Sequence, residues 1–346
     1  DLPSSGGSKA AYPCKSYGQG RINPAYFYGI FDPNDMRRDV SITMTGSNGK
    51  GVEKLIPFVP NSKAEGGGLT LNKWDENRQA NPWVAAQRKS GINGPYMRMS
   101  EVYLGYAEVC AALGDVVTGK QYLKTVRERS FPQGLADTDG FIASFGNDLV
   151  RAIIEERGFE YAGEGDRRWT LIRSGYLPED IKRIKDMTKA MMDGLATKGY
   201  YEFENGNIIS AYIWTKLVDA KTIYGHRLTA QCPMDKVNDP VLYPGWRGQK
   251  DNWEEMGLNY GNSAPATNLA IKGLFEIVSE EEAASLESQG YAKVNWGIDL
   301  VDYRDEYDKY LFWDYDYVSA PIYLWPFTPN VMAAGGFTNG YGFKQE

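Results

Sequence analysis

The stretch YMRMSEVYLGYAEVCAALGD, residues 96–115, has the clearest periodic pattern in the chain. Its apolar residues recur at intervals of three and four, which predicts an amphipathic α-helix. The residues that define this stripe are Val102, Tyr106, Val109, Cys110 and Leu113. Gly114 follows the last of them and predicts the C-terminal end of the helix.

A second helix is predicted in GKQYLKTVRERS, residues 119–130, after a short turn. The two helices would form an antiparallel hairpin whose small residues and Gly-Asp turn are typical of a tetratricopeptide unit. One such unit cannot bury its apolar faces alone, because stacks of this kind need about three or more repeats. The predicted fold class is therefore mainly α, built from helical hairpins with long irregular loops and little strand.

The charged stretch RAIIEERGFEYAGEGDRRW, residues 151–169, follows the hairpin. A single helix through it places Arg157, Glu160, Glu164 and Arg168 on the same face as apolar residues. Charges on such a face are tolerable only when they are paired, so we predict a buried structural ion network. The alternatives are a metal site and a pair of glycosidase carboxylates, but paired carboxylates have lowered pKa values and make poor general acids.

The remaining segments divide the chain into three regions. Residues 1–95 read as a loop-rich segment, residues 96–200 as the helical part with one tetratricopeptide-like hairpin, and residues 201–346 as an aromatic, loop-rich part. In the helical part we also expect a short helix at 144–153 and a longer one at 178–195. In the last region only SEEEAASLESQ reads as a helix, and the Pro-rich end is predicted to be an extended tail.

Composition excludes several functions. The chain has 346 residues with a net charge of -7, which argues against binding nucleic acid or anionic lipid. No apolar run approaches the roughly 18 residues of a membrane span. The chain has a single histidine, His226, which argues against most catalytic triads and against multi-histidine metal sites. Its three cysteines lie far apart in the sequence, so they predict neither a zinc site nor a disulfide framework. We therefore predict no catalytic residue, no metal and no cofactor.

Aromatic residues in polar loops are the candidates for ligand binding. A sugar ring stacks on an exposed Trp or Tyr while neighbouring polar side chains bind its hydroxyls, and loops often carry such residues. Three segments fit, and they place the candidates Trp246 and Trp253, Trp74 and Trp83, and Tyr26 and Tyr28. We rank Trp246 and Trp253 first, because polar residues separate them. The acidic run at 299–317 lacks the residue order of a calcium loop, so we interpret it as a solvated face.

Four segments in this order resemble the SusD/RagB family of outer-membrane nutrient-binding lipoproteins of Bacteroidetes. They are DPNDMRRD at 32–39, YMRMSEVYLGYAEVCAALGD at 96–115, IIEERGFEYAGEGDRRWTLIRSG at 153–175 and LWPFTPNVMAAGGFTNGYGF at 324–343. The third segment resembles the family's run of Glu-Arg, Glu, Glu-Gly and Arg-Trp. The order and spacing of the four make the resemblance specific.

The resemblance implies a SusD-like α/α superhelix that binds oligosaccharide, or peptide in some members, at the cell surface. It also implies a SusC-like TonB-dependent transporter as partner, a lipid anchor on the extracellular side of the outer membrane, and no catalysis. Because family members are longer at the N-terminus, we expect this chain to be a C-terminal portion, with the anchor outside it. A helical-repeat scaffold with protein partners only and a hydrolase are the alternatives.

Overall fold

The structure is a computed structural model that describes the helical centre of the chain completely and its flanks in part. The described residues are 2–3, 15–16, 22–47, 53–56, 58, 68–71, 73, 95–219, 267–302, 304, 323 and 328–336. Most of them lie in helices, so the predicted mainly α class is confirmed. None of the helices in these ranges combines the length and hydrophobicity needed to cross a membrane.

The predicted hairpin is confirmed as two packed helices, α3 (Met99–Ala112) and α4 (Val116–Glu128). Gly114 between them has φ of 88°, a left-handed conformation that favours glycine. Asp115 then caps α4, because its carboxylate accepts a hydrogen bond from the Thr118 amide at 3.1 Å. Among the described residues, α1 (Pro24–Gly29) and α2 (Met36–Ser41) precede α3 in the chain.

The face of α3 that packs against its neighbours differs from the apolar stripe predicted from the sequence. Leu104 and Ala107 are fully buried, whereas Val102, Tyr106 and Val109 are each about half exposed. Ala107 lies where α4 comes closest, since a Cβ added at Gly119 would lie 3.0 Å from the Ala107 carbonyl oxygen. Small residues set the contact by allowing close approach, and this shifts the buried face away from the larger apolar side chains.

The charged stretch is not one helix, which corrects the prediction for residues 151–169. Helix α6 (Leu149–Glu160) ends before a turn, and α7 (Asp166–Ser174) begins after it. Gly163 and Gly165 in this turn have φ of 80° and 85°, a conformation that a continuing right-handed helix excludes. The short helix expected at 144–153 is also displaced, because α5 (Thr138–Ala143) lies earlier and the Asp148 side chain caps α6.

The long helix expected at 178–195 is confirmed as α8 (Leu177–Lys198). Pro178 lies in its first turn, where proline is favoured, and Gly199 in the left-handed conformation ends it. The segment SEEEAASLESQ is confirmed as α9 (Glu280–Ser288), which begins with a capping box between Ser279 and Glu282.

Residues before α3 contain more helix than the sequence indicated. Asn23 and Asp35 cap α1 and α2 through their side chains, and Phe27 and Tyr28 of α1 are buried. The strands in this region are short: β1 (Leu2–Pro3), β2 (Lys15–Ser16), β3 (Ile42–Thr43), β4 (Thr45–Ser47), β5 (Glu53–Leu55) and β6 (Thr70–Leu71). Burial of α1 against α8 explains a helix that has only six residues.

Strands follow α8, in a region without a periodic pattern in the sequence. They are β7 (Tyr200–Glu202), β8 (Ile208–Ser210), β9 (Tyr212–Asp219), β10 (Thr267–Lys272) and β11 (Ala292–Asn295). β7 pairs with β8, while β9 is the central strand between antiparallel β10 and β11. The described chain ends with α10 (Gly297–Asp302) and α11 (Pro329–Gly335), and α11 corrects the prediction of a wholly extended tail.

Two hydrophobic cores lie on either side of α6. The first joins α1, α8 and the strands around Trp296, and the second joins α3, α4 and the inner face of α6. Phe141 packs against both cores, and Phe159 of α6 belongs to the first. Residues of α6 are buried on every side, including its charged residues Arg151, Glu155, Glu156, Arg157 and Glu160. The helix therefore carries its charges between two cores.

Candidate functional site

Of the predicted tyrosine pair, Tyr28 is fully buried and Tyr26 is half-buried. The hydroxyl of Tyr28 accepts a hydrogen bond from Trp296 Nε1 at 2.8 Å, and its ring stacks on Phe203. Tyr26 donates its hydroxyl proton to the Gly158 carbonyl at 2.9 Å, and burial raises the pKa of Tyr26 to about 12. This corrects the expectation that Tyr26 and Tyr28 present their rings on a loop, because α1 turns both towards its neighbours.

The four candidate tryptophans, Trp74, Trp83, Trp246 and Trp253, lie outside the described residues. Their assignment to a ligand surface stays a prediction.

The carboxylates of α6 are held by arginines from other parts of the chain. Arg98 Nη1 lies 2.6 Å from Glu160 Oε1, and Arg98 Nη2 lies 2.8 Å from Glu164 Oε1. Glu160 also pairs with Arg37 at 3.2 Å and with Arg129. The partners of Glu160 therefore come from α2, from the start of α3 and from the end of α4.

Arg157 and Arg168 complete the predicted network, but the structure places them differently from the prediction. Arg157 binds Asp166 of α7 at 2.5 Å and the Thr170 hydroxyl at 3.2 Å, rather than Glu160. Arg168 is half-buried on α7. The break between the helices causes this change, since α7 does not continue the face of α6.

A second charged cluster joins α6 to α8. Arg167 Nη2 lies 3.0 Å from Glu155 and 2.8 Å from Asp180, and Arg183 contacts the same two carboxylates. Glu155 is 2% exposed, so this cluster replaces water around a buried charge. Within the described ranges, no group of three or more acidic, cysteine or histidine side chains is placed to hold a metal ion.

Glu160 is ionised over the whole neutral range. Burial alone would raise the pKa of its carboxyl, but hydrogen bonds from Arg129 and Arg98 and the charge of Arg37 outweigh burial and lower the pKa to about 2. An acid with so low a pKa holds no proton to donate near neutral pH. The cluster thus has the properties of a structural element rather than of an acid catalyst.

The lowered pKa makes the stability of the protein depend on acid pH. An ordinary glutamate titrates near 4.5 in the unfolded chain, so the stability that Glu160 contributes is complete above that pH and is lost as pH falls towards about 2. Between pH 7 and pH 3 we expect Glu160 to account for a loss of about 2 kcal/mol in the free energy of unfolding. Urea unfolding of wild type and Glu160→Gln at both pH values measures it. An equal loss in both proteins would contradict the prediction.

A cavity of about 850 Å³ opens next to these clusters. Its volume lies within the roughly 300–1,000 Å³ of small-molecule sites. The walls come from the end of α1 and the turn after it, from α4, α5, α6 and α8, and from β7 and the turn that follows. The aromatic residues of the wall are Phe141, Phe145, Phe159, Tyr201 and Phe203.

The aromatic wall offers exposed ring area. Phe141, Phe145 and Tyr201 are half-buried, while Phe159 and Phe203 behind them are buried. The Phe141 and Phe145 rings meet edge to face with centroids 5.2 Å apart, and Tyr201 meets Phe203 in the same way at 4.8 Å. Each exposed ring is therefore held in place by another ring.

Polar groups surround these rings. Carboxylates of Asp32, Asp137, Asp186 and Glu204 line the cavity, together with the amide of Asn205. Arg127 also lines it, with its guanidinium 3.9 Å from the Phe141 ring centroid. The buried Nε of Arg127 has no hydrogen-bond partner among the described residues. The cavity therefore combines stacking surface with hydrogen-bond acceptors, which suits the binding of a polyhydroxy ligand.

The cavity was missed in the sequence because its residues come from segments up to about 170 positions apart. Phe141, Phe145 and Tyr201 do not share a motif, and each reads as an ordinary core residue. The packing of α5 on α4 and α6, and of β7 on α8, brings them to one wall.

Comparison with known proteins identifies the family. The sequence model of the SusD family matches residues 6–327. The chain belongs to the SusD family, and the resemblance predicted from its four segments is confirmed.

Individual relatives match a part of the chain. SusD-like protein P25 of Formosa agariphila is 28% identical over 160 residues, which cover 46% of this chain and 26% of that protein. A solved SusD homolog from Bacteroides thetaiotaomicron is 23% identical, with a TM-score of 0.33, over 46% of this chain and 33% of the other. The matched part thus spans about a quarter to a third of these relatives.

Proposed function

We propose that this chain binds oligosaccharide at the cell surface for uptake through a SusC-like TonB-dependent transporter. The observation that carries the proposal is the aromatic cavity with its carboxylates, in a chain of the SusD family. Half-buried rings supply a stacking face for a sugar, and the carboxylates accept hydrogen bonds from its hydroxyls. The chain would act without catalysis, as a C-terminal region of a lipoprotein anchored to the outer face of the outer membrane.

The loop tryptophans belong to the same proposal. Trp246 and Trp253, and then Trp74 and Trp83, would extend the ligand surface beyond the cavity by stacking further sugar rings. Such a surface gives reversible binding, which a protein that passes its ligand to a transporter requires. A peptide ligand is the alternative within the family, and an array that carries both glycans and peptides separates the two.

A protein-interaction scaffold is the second candidate, because α3 leaves Val102, Tyr106 and Val109 half exposed on one face. A scaffold that used only this face would bind no saccharide, so the glycan array distinguishes it from the first proposal.

Removing one ring of the cavity wall is expected to weaken binding. Phe145→Ala or Tyr201→Ala should cost about 2 kcal/mol of binding free energy, which raises the dissociation constant some thirtyfold. Isothermal titration calorimetry with the tightest saccharide of the array measures this, and circular dichroism checks that each variant is folded. Tyr96→Ala is the matched control, since Tyr96 is 99% exposed and does not line the cavity.

Unchanged affinity in both cavity variants would exclude the cavity as the site. The same titration of the four tryptophan variants would then show whether the loops bind the ligand instead.

A further inference from the structure

The charges of the cavity wall are unevenly distributed. Six carboxylates line it, from Asp32, Asp35, Asp137, Glu155, Asp186 and Glu204, against the two guanidinium groups of Arg127 and Arg183. An excess of this sign gives the cavity a negative potential, and its low-dielectric walls focus the field. Ion pairs cancel part of this excess, because Asp35 pairs with Arg37 and Glu155 pairs with Arg183.

The positive charges are already neutralised by buried partners. Arg127 Nη1 lies 3.1 Å from Glu156 Oε2, a carboxylate that is fully buried. Arg183 pairs with Glu155 at 3.1 Å and with Asp180 at 2.5 Å. Both arginines retain a buried Nε without a hydrogen-bond partner among the described residues. Both arginines are thus paired and bring no uncompensated positive charge to the cavity.

Part of the negative charge stays exposed to the cavity. Asp32 and Asp137 accept backbone N–H groups of Asn34 and Gly140, both at 2.8 Å, and these partners carry no charge. Asp186 and Glu204 are exposed at the mouth, and the partner of Asp186 is the exposed Lys182, which forms a weak surface pair. A ligand that enters therefore meets carboxylates.

We infer that the cavity selects saccharides without negative charge: neutral sugars bind, whereas sugars that carry a carboxylate or a sulfate are rejected. This inference rests on the proposed function and adds the substrate class. The hydroxyls of a neutral ring donate hydrogen bonds to the exposed carboxylates. An anionic group would be brought next to like charges, and the two cations among the described lining residues, Arg127 and Arg183, are already paired.

The test compares one saccharide in two charge states. The probes are neutral gluco-, manno- and galacto-oligosaccharides and the same compounds with their primary alcohols oxidised to carboxylates, titrated by calorimetry into the 346-residue chain. We expect the oxidised form of the tightest binder to bind at least tenfold more weakly. Raising NaCl from about 50 to 500 mM should reduce this difference, because salt screens exposed charges.

Two double variants test whether the cavity carboxylates cause the difference in affinity between the neutral and the oxidised saccharide. The double variant Asp186→Asn with Glu204→Gln should reduce the difference to less than about threefold. The matched control, Glu128→Gln with Glu287→Gln, removes two exposed carboxylates that do not line the cavity and should keep the full difference. Both double variants change the net charge equally, so a general effect of charge would affect them alike.

Each other outcome overturns the inference. If the oxidised form binds as well as the neutral form, selection by charge is wrong while the proposed function stands. If Asp186→Asn with Glu204→Gln keeps the full discrimination, the cavity is not its origin. If no saccharide binds, the proposed function fails and the inference fails with it.

Discussion

Replacing Glu160 by alanine is expected to lower the free energy of unfolding by about 3–5 kcal/mol, the range for removing one partner of a buried ion pair. Glu160 is 3% exposed and contacts Arg37, Arg98 and Arg129. Its loss leaves three guanidinium groups from separate elements without their common carboxylate. Urea unfolding at pH 7, followed by circular dichroism, measures the change.

Glu128→Ala is the control for this prediction. Glu128 forms an exposed ion pair with Lys124 on α4, and such a pair contributes about 0.3–0.5 kcal/mol. A loss of similar size in both variants would show that Glu160 is not held in a buried network.

Trp296→Ala is the second substitution with a large expected effect, a loss of about 3–5 kcal/mol in the free energy of unfolding. Trp296 is 1% exposed, its ring centroid lies 4.1 Å from that of Phe58, and its Nε1 donates to the Tyr28 hydroxyl. The variant leaves a cavity in the first core and a buried hydroxyl without its donor. Thermal and urea unfolding measure the loss.

Trp169→Ala tests whether burial, rather than the loss of an indole ring, causes the effect. Trp169 lies on α7 and is 55% exposed, so we expect a change of less than about 1 kcal/mol. Equal losses at positions 169 and 296 would contradict the assignment of Trp296 to the core.

Carboxylates have two kinds of role in this protein: some stabilise contacts between helices, and others face the cavity. Glu160 and Glu155 lie among arginines and stabilise the contact between helices, whereas Asp186 and Glu204 face the cavity and are exposed. The sequence predicted a buried ion network that includes Glu160, but it did not distinguish Asp186 and Glu204 from other acidic residues. Their burial and partners, which depend on the fold, assign the first pair to structure and leave the second pair open to a ligand.

Helices with local signals could be predicted from the amino-acid sequence alone. Periodicity and end signals within about 20 residues predict α3, α4, α8 and α9, because capping boxes, glycine turns and amphipathic spacing act between near neighbours. The order of four motifs also determined the family, which the match over residues 6–327 confirms.

Contacts between distant segments of the chain could not be predicted, because they depend on how the helices and strands pack. Glu160 finds Arg98 and Arg37 at separations of 62 and 123 residues, and β9 pairs with β10 across a long intervening segment. The cavity wall likewise joins rings of α5 to Tyr201 after α8. Such contacts depend on how the helices pack against one another. Several packings would satisfy the same spacing of apolar and charged residues, so the local sequence pattern does not select one of them.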